Sequence, residues 1–229
     1  MDRNRPESTT VFFPGLGADS TLAAFHQLSD SDCVWIEWPE SISEDWDTFL
    51  ESLEGQIPVV ADLRYVGISF GGLVALGMSK RKPATKGVFL VGSLVDRREV
   101  RAPFRWALAA AIHLPSFFFD LRLVPGWAIQ FAFGIRDPEH LRHFQVMARR
   151  LPPRSVRSLC RLIAKWSPVD TRPSARIHGR SDRMLRPRSD ATFLDGGHLI
   201  SMTNSAEINE LLEGNPAPQP IGRSLGSIA

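Results

Sequence analysis

Cysteine is scarce in this chain: of 229 residues only Cys33 and Cys160 carry a thiol, and they lie far apart. Such a pair supports neither a disulfide framework nor a cysteine-rich metal site. Long apolar runs are also missing. The greasiest region, Phe117 to Ile135, is interrupted by Asp120, Arg122, Pro125 and Gly126, which argues against a membrane-spanning helix. Met1 to Thr10 is polar and lacks the apolar centre of a secretion signal. These absences lead to the expectation of a cytoplasmic, reducing compartment. No cluster of His, Cys and acids has metal-ligand spacing, and no Gly-rich loop ends in Gly-Lys-Ser/Thr. Neither a metal nor another cofactor is expected. There is no internal repeat.

With 43% hydrophobic and 23% charged residues, the composition is that of an ordinary globular chain, long enough for one sizeable core and an insertion. Its net charge of +2 conceals an asymmetry. Residues 1–96 carry 7 basic and 14 acidic side chains, residues 97–165 carry 13 and 4, and the remainder carries 7 and 7. Twelve of the thirteen basic residues in the middle block are arginine. A block of this kind suits anionic partners or surfaces, or it solubilises an apolar segment. No nucleic-acid motif accompanies it, so nucleic acid is not an expected partner.

Periodicity and breakers predict strands at Thr10–Phe13, Cys33–Trp38, Gly87–Val91, Ala175–His178 and Ala191–Leu194. A further strand is supplied by Ile57–Ala61 or by Arg64–Ile68. Helices are expected over Ser20–Leu28 (capped by Asp19 or Ser20), Ser43–Leu53, Phe70–Lys80 and Ala206–Leu212. The alternation breaks after Ser93 and resumes near Ser174. Between them four helices are expected: Phe104–Leu114, Trp127–Phe133, Pro138–Arg150 and Pro153–Lys165. Alternating strands and helices imply a mostly parallel sheet flanked by helices. The expected division is a core of 10–96 and 170–213, a helical insertion of 97–169, and flexible termini at 1–9 and 214–229.

The segment Gly67-Ile68-Ser69-Phe70-Gly71 joins an apolar run to a helical one. A Gly-x-Ser-x-Gly pattern in that setting forms a sharp strand-to-helix turn that exposes the serine hydroxyl. Gly67 and Gly71 leave room for the turn. His178-Gly179-Arg180-Ser181-Asp182 follows a later strand, and Asp195-Gly196-Gly197-His198 follows the last one. Together with Pro14-Gly15-Leu16-Gly17 these four motifs, in this order, resemble the α/β-hydrolase superfamily over about residues 10–213.

The resemblance implies Ser69 as nucleophile, His198 as base and Asp182 as the acid that orients it. Asp96 is the alternative acid. The backbone N–H groups of Phe70 and Leu16 are expected to receive an oxyanion, with Leu16 preferred to Gly15. Many relatives have His-Gly where this chain has Pro14-Gly15. Asp195 reads as a turn residue, His178 as structural, and His26, His113, His140 and His143 as surface or cap residues. The rate is expected to fall below neutral pH as His198 gains a proton.

In this superfamily an insertion after the elbow helix and its following strand forms a cap that governs substrate choice. Here Trp106, Phe117, Phe118, Phe119, Trp127, Phe131 and Phe133 either pack the cap onto the core, the simpler role, or line an acyl pocket below an arginine rim. The leading expectation is hydrolysis of a carboxylic ester or thioester of a small-molecule or carrier-bound acyl group. An anionic carrier or lipid head group would suit the arginines. Acyl transfer on the same residues, lyase or haloperoxidase-like chemistry, and non-hydrolytic binding of a small molecule are the alternatives.

Overall fold

The computed structural model describes residues 8–29, 32–186 and 190–214. Six strands, β1 (Ser8–Phe13), β2 (Asp32–Trp35), β3 (Asp62–Ile68), β4 (Val88–Val91), β5 (Ala175–Gly179) and β6 (Thr192–Leu194), form one sheet in the order β2-β1-β3-β4-β5-β6. Every neighbouring pair is parallel. Parallel strands require crossovers, and these place helices over both faces of the sheet. The helices are α1 (Trp46–Leu53), α2 (Phe70–Arg81), α3 (Ala102–Ala111), α4 (Gly126–Phe133), α5 (Pro138–Arg150), α6 (Pro153–Lys165), α7 (Ile200–Thr203) and α8 (Ser205–Glu213). This is an α/β fold with a helical insertion between β4 and β5.

Alternation along the strands divides the core in two. Val11, Phe13, Tyr65 and Leu90 face one cluster with α1, α2 and α6. Phe12, Val66, Phe89 and Ile177 face the other with α5, α7 and α8. Successive side chains point to opposite faces, so strands covered on both sides must be apolar throughout. The second cluster also holds His26, contrary to its expected surface position. It is 2% exposed, lies near the Phe12 and Trp35 rings, and its Nδ1–H donates to Asn209 Oδ1 at 2.9 Å.

That placement explains why Ser20–Leu28 is not a helix. Only Ser20–Ala24 winds, as a 3-10 turn capped by the Asp19 carboxylate. Beyond it the adjacent Phe25 and His26 turn to different neighbours, the rings of His140 and His143 on α5 and the inner rings of β1 and β2. α1 begins at Trp46, three residues later than expected, because Asp45 caps it by accepting the Thr48 N–H at 2.9 Å. Of the two segments offered for the strand entering the elbow, the later one is used. β1 begins at Ser8 and Gly214 closes α8, while residues 1–7 and 215–229 of the expected flexible termini lie outside the described residues.

Candidate active site

Ser69 stands between β3 and α2 with φ 50° and ψ −118°, and among the described residues no other non-glycine has positive φ. Holding a residue with a Cβ there costs about 1–3 kcal/mol, which the surroundings must overcome. They do so by backbone contact. A Cβ on Gly67 would run into the Gly72 backbone, and one on Gly71 into the Phe13 carbonyl. The Ser69 N–H donates to Val91 O at 2.9 Å. Its carbonyl accepts from Ser93 Oγ at 2.6 Å, and the Ser93 carbonyl accepts from His178 Nε2 at 2.6 Å. Two side chains on β5 and the loop after β4 therefore pin the serine from below. Burial, and then the neighbouring Arg176 charge, push the His178 imidazolium down to about 4, so this strut stays neutral.

Above the elbow the last two loops converge. Ser69 Oγ is 2.8 Å from His198 Nε2, and His198 Nδ1 is 2.8 Å from Asp182 Oδ2. His198 and Asp182 are 4% and 3% exposed, so little water competes for these bonds. The other Asp182 oxygen accepts the Met184 and Leu185 N–H groups at 2.8 and 2.9 Å. Burial alone raises the Asp182 carboxyl. The His198 charge, its hydrogen bond and the two amides outweigh that and hold the group below the ordinary carboxylate range. An ionised acid behind the ring leaves Nε2 facing the hydroxyl, an arrangement able to take its proton.

Asp96 is occupied elsewhere: its carboxylate caps the 3-10 turn Arg97–Glu99 by accepting the Arg98 N–H at 2.9 Å. Asp195 is exposed and pairs with Arg180 at 3.2 Å. Phe70 opens α2, where backbone N–H groups have no partner within the helix and the helix dipole is positive. Leu16 lies in the turn closed by Ala18 N–H to Gly15 O at 3.1 Å, and Gly15 packs directly against Ser69. Cys160 offers no competing nucleophile, because burial pushes its thiol up to about 12.

The insertion enters the site at two places that sequence reasoning missed. Phe133, the last residue of α4, accepts the His198 backbone N–H at 2.8 Å, and the two rings lie 5.7 Å apart. At the root of the insertion Val100 bridges Leu185, the residue whose amide holds Asp182, and the Arg101 N–H donates to Met184 O at 2.9 Å. The buried pair Glu99–Arg176, at 2.6 Å, fixes that root to β5. Acid and base are partners 77 positions apart, so no local pattern announces them.

The space beside Ser69 is small, about 10 Å³, and mostly apolar, with Leu16, Leu22, Phe133, Phe144 and Met147 in its wall. A larger cleft, about 700 Å³ and of mixed polarity, is lined by Arg136, His140, Arg183, Asn204 and the Gly196–Gly197 loop, and Ser69 is not part of its wall. Of the seven insertion aromatics singled out in the sequence, Phe119 is buried and Phe133 meets His198. The other five, Trp106, Phe117, Phe118, Trp127 and Phe131, are exposed, which corrects the expectation that they pack the insertion onto the core.

No protein-family model matches the chain, and no curated protein matches it. Solved structures do. The enol-lactonase of Burkholderia xenovorans LB400 superimposes with a TM-score of 0.70 at 15% identity, over 92% of each chain. The hydrolase of 2-hydroxy-6-oxo-6-phenylhexa-2,4-dienoate from Rhodococcus sp. strain RHA1 gives 0.61 at 18%, over 92% of this chain and 91% of its own. YbtT, a type II thioesterase of the yersiniabactin pathway, gives 0.58 at 19%, over 93% and 94%. This is the α/β-hydrolase fold. Within an α/β-hydrolase fold, the meeting of the Ser69 turn with the loops that carry Asp182 and His198 follows from the parallel sheet, which brings the carboxyl ends of β3, β5 and β6 to one side. Among the described residues no helix is long and apolar enough to cross a membrane.

Proposed function

We propose that the chain is a serine hydrolase that cleaves a carboxylic ester or thioester of an apolar acyl group through an acyl-enzyme on Ser69. The observation that carries this reading is the unbroken relay from Ser69 Oγ through His198 to Asp182, two bonds of 2.8 Å behind a strained elbow serine. Ser69 Oγ attacks the acyl carbon while His198 Nε2 takes the hydroxyl proton. Asp182 keeps the Nδ1–H tautomer and stabilises the imidazolium. The Phe70 and Leu16 N–H groups receive the oxyanion. His198 then hands its proton to the departing alcohol or thiol. Water, deprotonated by the same ring, releases the acid and restores Ser69.

The apolar wall beside Ser69 supports an apolar acyl chain, and Phe133, Phe144 and Met147 must shift to admit one. The insertion, residues 97–169, thus serves as a cap on a core of 10–96 and 170–213. Neighbours named as a lactonase and a thioesterase support the same reaction class. The cap arginines suit a phosphate-bearing acyl carrier, so raising ionic strength should slow turnover of an anionic acyl substrate and spare a neutral ester. A closed apolar cavity also limits water, which favours acyl transfer to an alcohol or thiol as the second reading. Product analysis with added acceptor separates the two.

The deciding experiment is intact mass after treatment with a fluorophosphonate. One adduct is expected on the wild type and none on Ser69→Ala. A folded wild type that takes up no label, even at long exposure, would leave a binding protein as the better description.

A further inference from the structure

The insertion has two tiers. The inner tier is α5 and α6, which press Phe144, Met147, Leu159 and Leu162 into the two core clusters. The outer tier is the stretch from α3 to α4. α3 and the Ser116–Phe119 turn rest on α6, while the Leu121–Leu123 turn and α4 rest on α5. This outer tier is apolar yet open. Of the ten large hydrophobic side chains exposed among the described residues, eight fall between Trp106 and Phe131. Trp106, Leu123 and Trp127 are 70, 74 and 72% exposed, and the neighbouring Phe117 and Phe118 rings lie 4.2 Å apart in the open.

Charge limits what can cover such a surface. From 102 to 133 the single carboxylate is Asp120, and Arg122 holds it with two bonds of 2.7 Å. Arg98, Arg101 and Arg105 are exposed at the entrance to α3, and the Arg183 guanidinium lies 4.4 Å over the Phe131 ring. Bulky rings without free carboxylates, bordered by arginine, match a surface that is apolar inside and anionic at its rim. We propose that the outer tier rests on an anionic lipid surface, with its rings among the acyl chains and its arginines on head-group phosphates. Tryptophan beside arginine is the composition favoured at that boundary. A second copy fits less well, because a two-fold contact sets the same patch against itself and brings the arginines together. Such contact would turn the cap, and the site beneath it, toward the bilayer.

The test uses the full chain carrying Ser69→Ala, so that no lipid is consumed and the outcome is independent of the proposed hydrolysis. It is sedimented with vesicles of phosphatidylcholine alone and with added phosphatidylglycerol. Binding to the mixed vesicles is expected, weakened about tenfold or more by omitting phosphatidylglycerol or by high salt. Adding Phe117→Ser with Phe118→Ser should lower it by a similar factor while leaving the melting curve in place. A protein that stays in the supernatant with anionic vesicles overturns the proposal. So does binding that the double variant retains, which would be adsorption by arginine alone. Concentration-dependent dimers abolished by the double variant, with vesicles ignored, would assign the surface to a second copy. Capture of an acyl carrier protein in place of vesicles would assign it to that partner.

Discussion

α2 and α3 are both apolar helices without an acid, and they end in opposite circumstances. α2 buries nine of its twelve residues, and α3 buries none of its ten. Hydrophobicity does not separate them; neighbours do. α2 is held against β1, β3 and β4 with α1 on its flank, and its paired glycines let the backbone approach the sheet. α3 has the outside of α6 to lean on. Burial is thus a property of place in the topology. The helix that follows Ser69 is packed against three strands and a helix, whereas α3, resting on another helix, leaves its apolar side chains accessible.

If chemistry belongs to the sheet side alone, damage there and damage in α3 should differ by orders of magnitude. Asp182→Asn should lower turnover of a soluble ester about 10⁴-fold, since the wrong imidazole tautomer then faces Ser69. Near-normal rates would transfer the acid role to Asp96 and break the contrast. Leu73→Ala, within α2, should cost about 2–5 kcal/mol in urea denaturation through the cavity it leaves.

His178 gives a smaller effect with a definite sign. Its folded value lies near 4, below the ordinary 6.5, so the unfolded chain binds the proton first. Stability should be full above pH 6.5 and fall as pH drops toward 4, by up to about 3 kcal/mol. His178→Asn, which retains a donor for Ser93 O, should flatten that slope. A slope unchanged in the variant would mean that another group titrates. Least of all, Trp106→Ser in α3 should leave stability within about 0.5 kcal/mol and the soluble-ester rate unaltered. A large loss in either would show that α3 is sustained by its own packing after all.

Much of the sheet side was readable in advance. Gly67-x-Ser69-x-Gly71 specifies a turn that only small flanking residues permit, and the spacing of strands and helices dictates parallel pairing. Asp182 and His198 were legible because each follows a strand in a short glycine-bearing loop. What stayed hidden depends on distant partners. Ser93 reaches the Ser69 carbonyl across 24 positions, and Arg176 meets Glu99 across 77. His26 reads as a surface residue until Asn209, on a helix 183 positions away, gives its buried ring a partner. The insertion aromatics read as core or as pocket lining because their apolar character is local, while the exposure of five of them depends on how the described residues pack.

The Phe133 carbonyl stands outside the Ser69–His198–Asp182 chain of hydrogen bonds, yet it is where the backbone of His198 rests. Gly134 and Gly197 meet there so closely that neither could carry a methyl group. The end of α4 is therefore a bearing for the His198 loop. A substitution at the end of α4 is expected to be felt at the imidazole, although the two lie 65 positions apart in the chain.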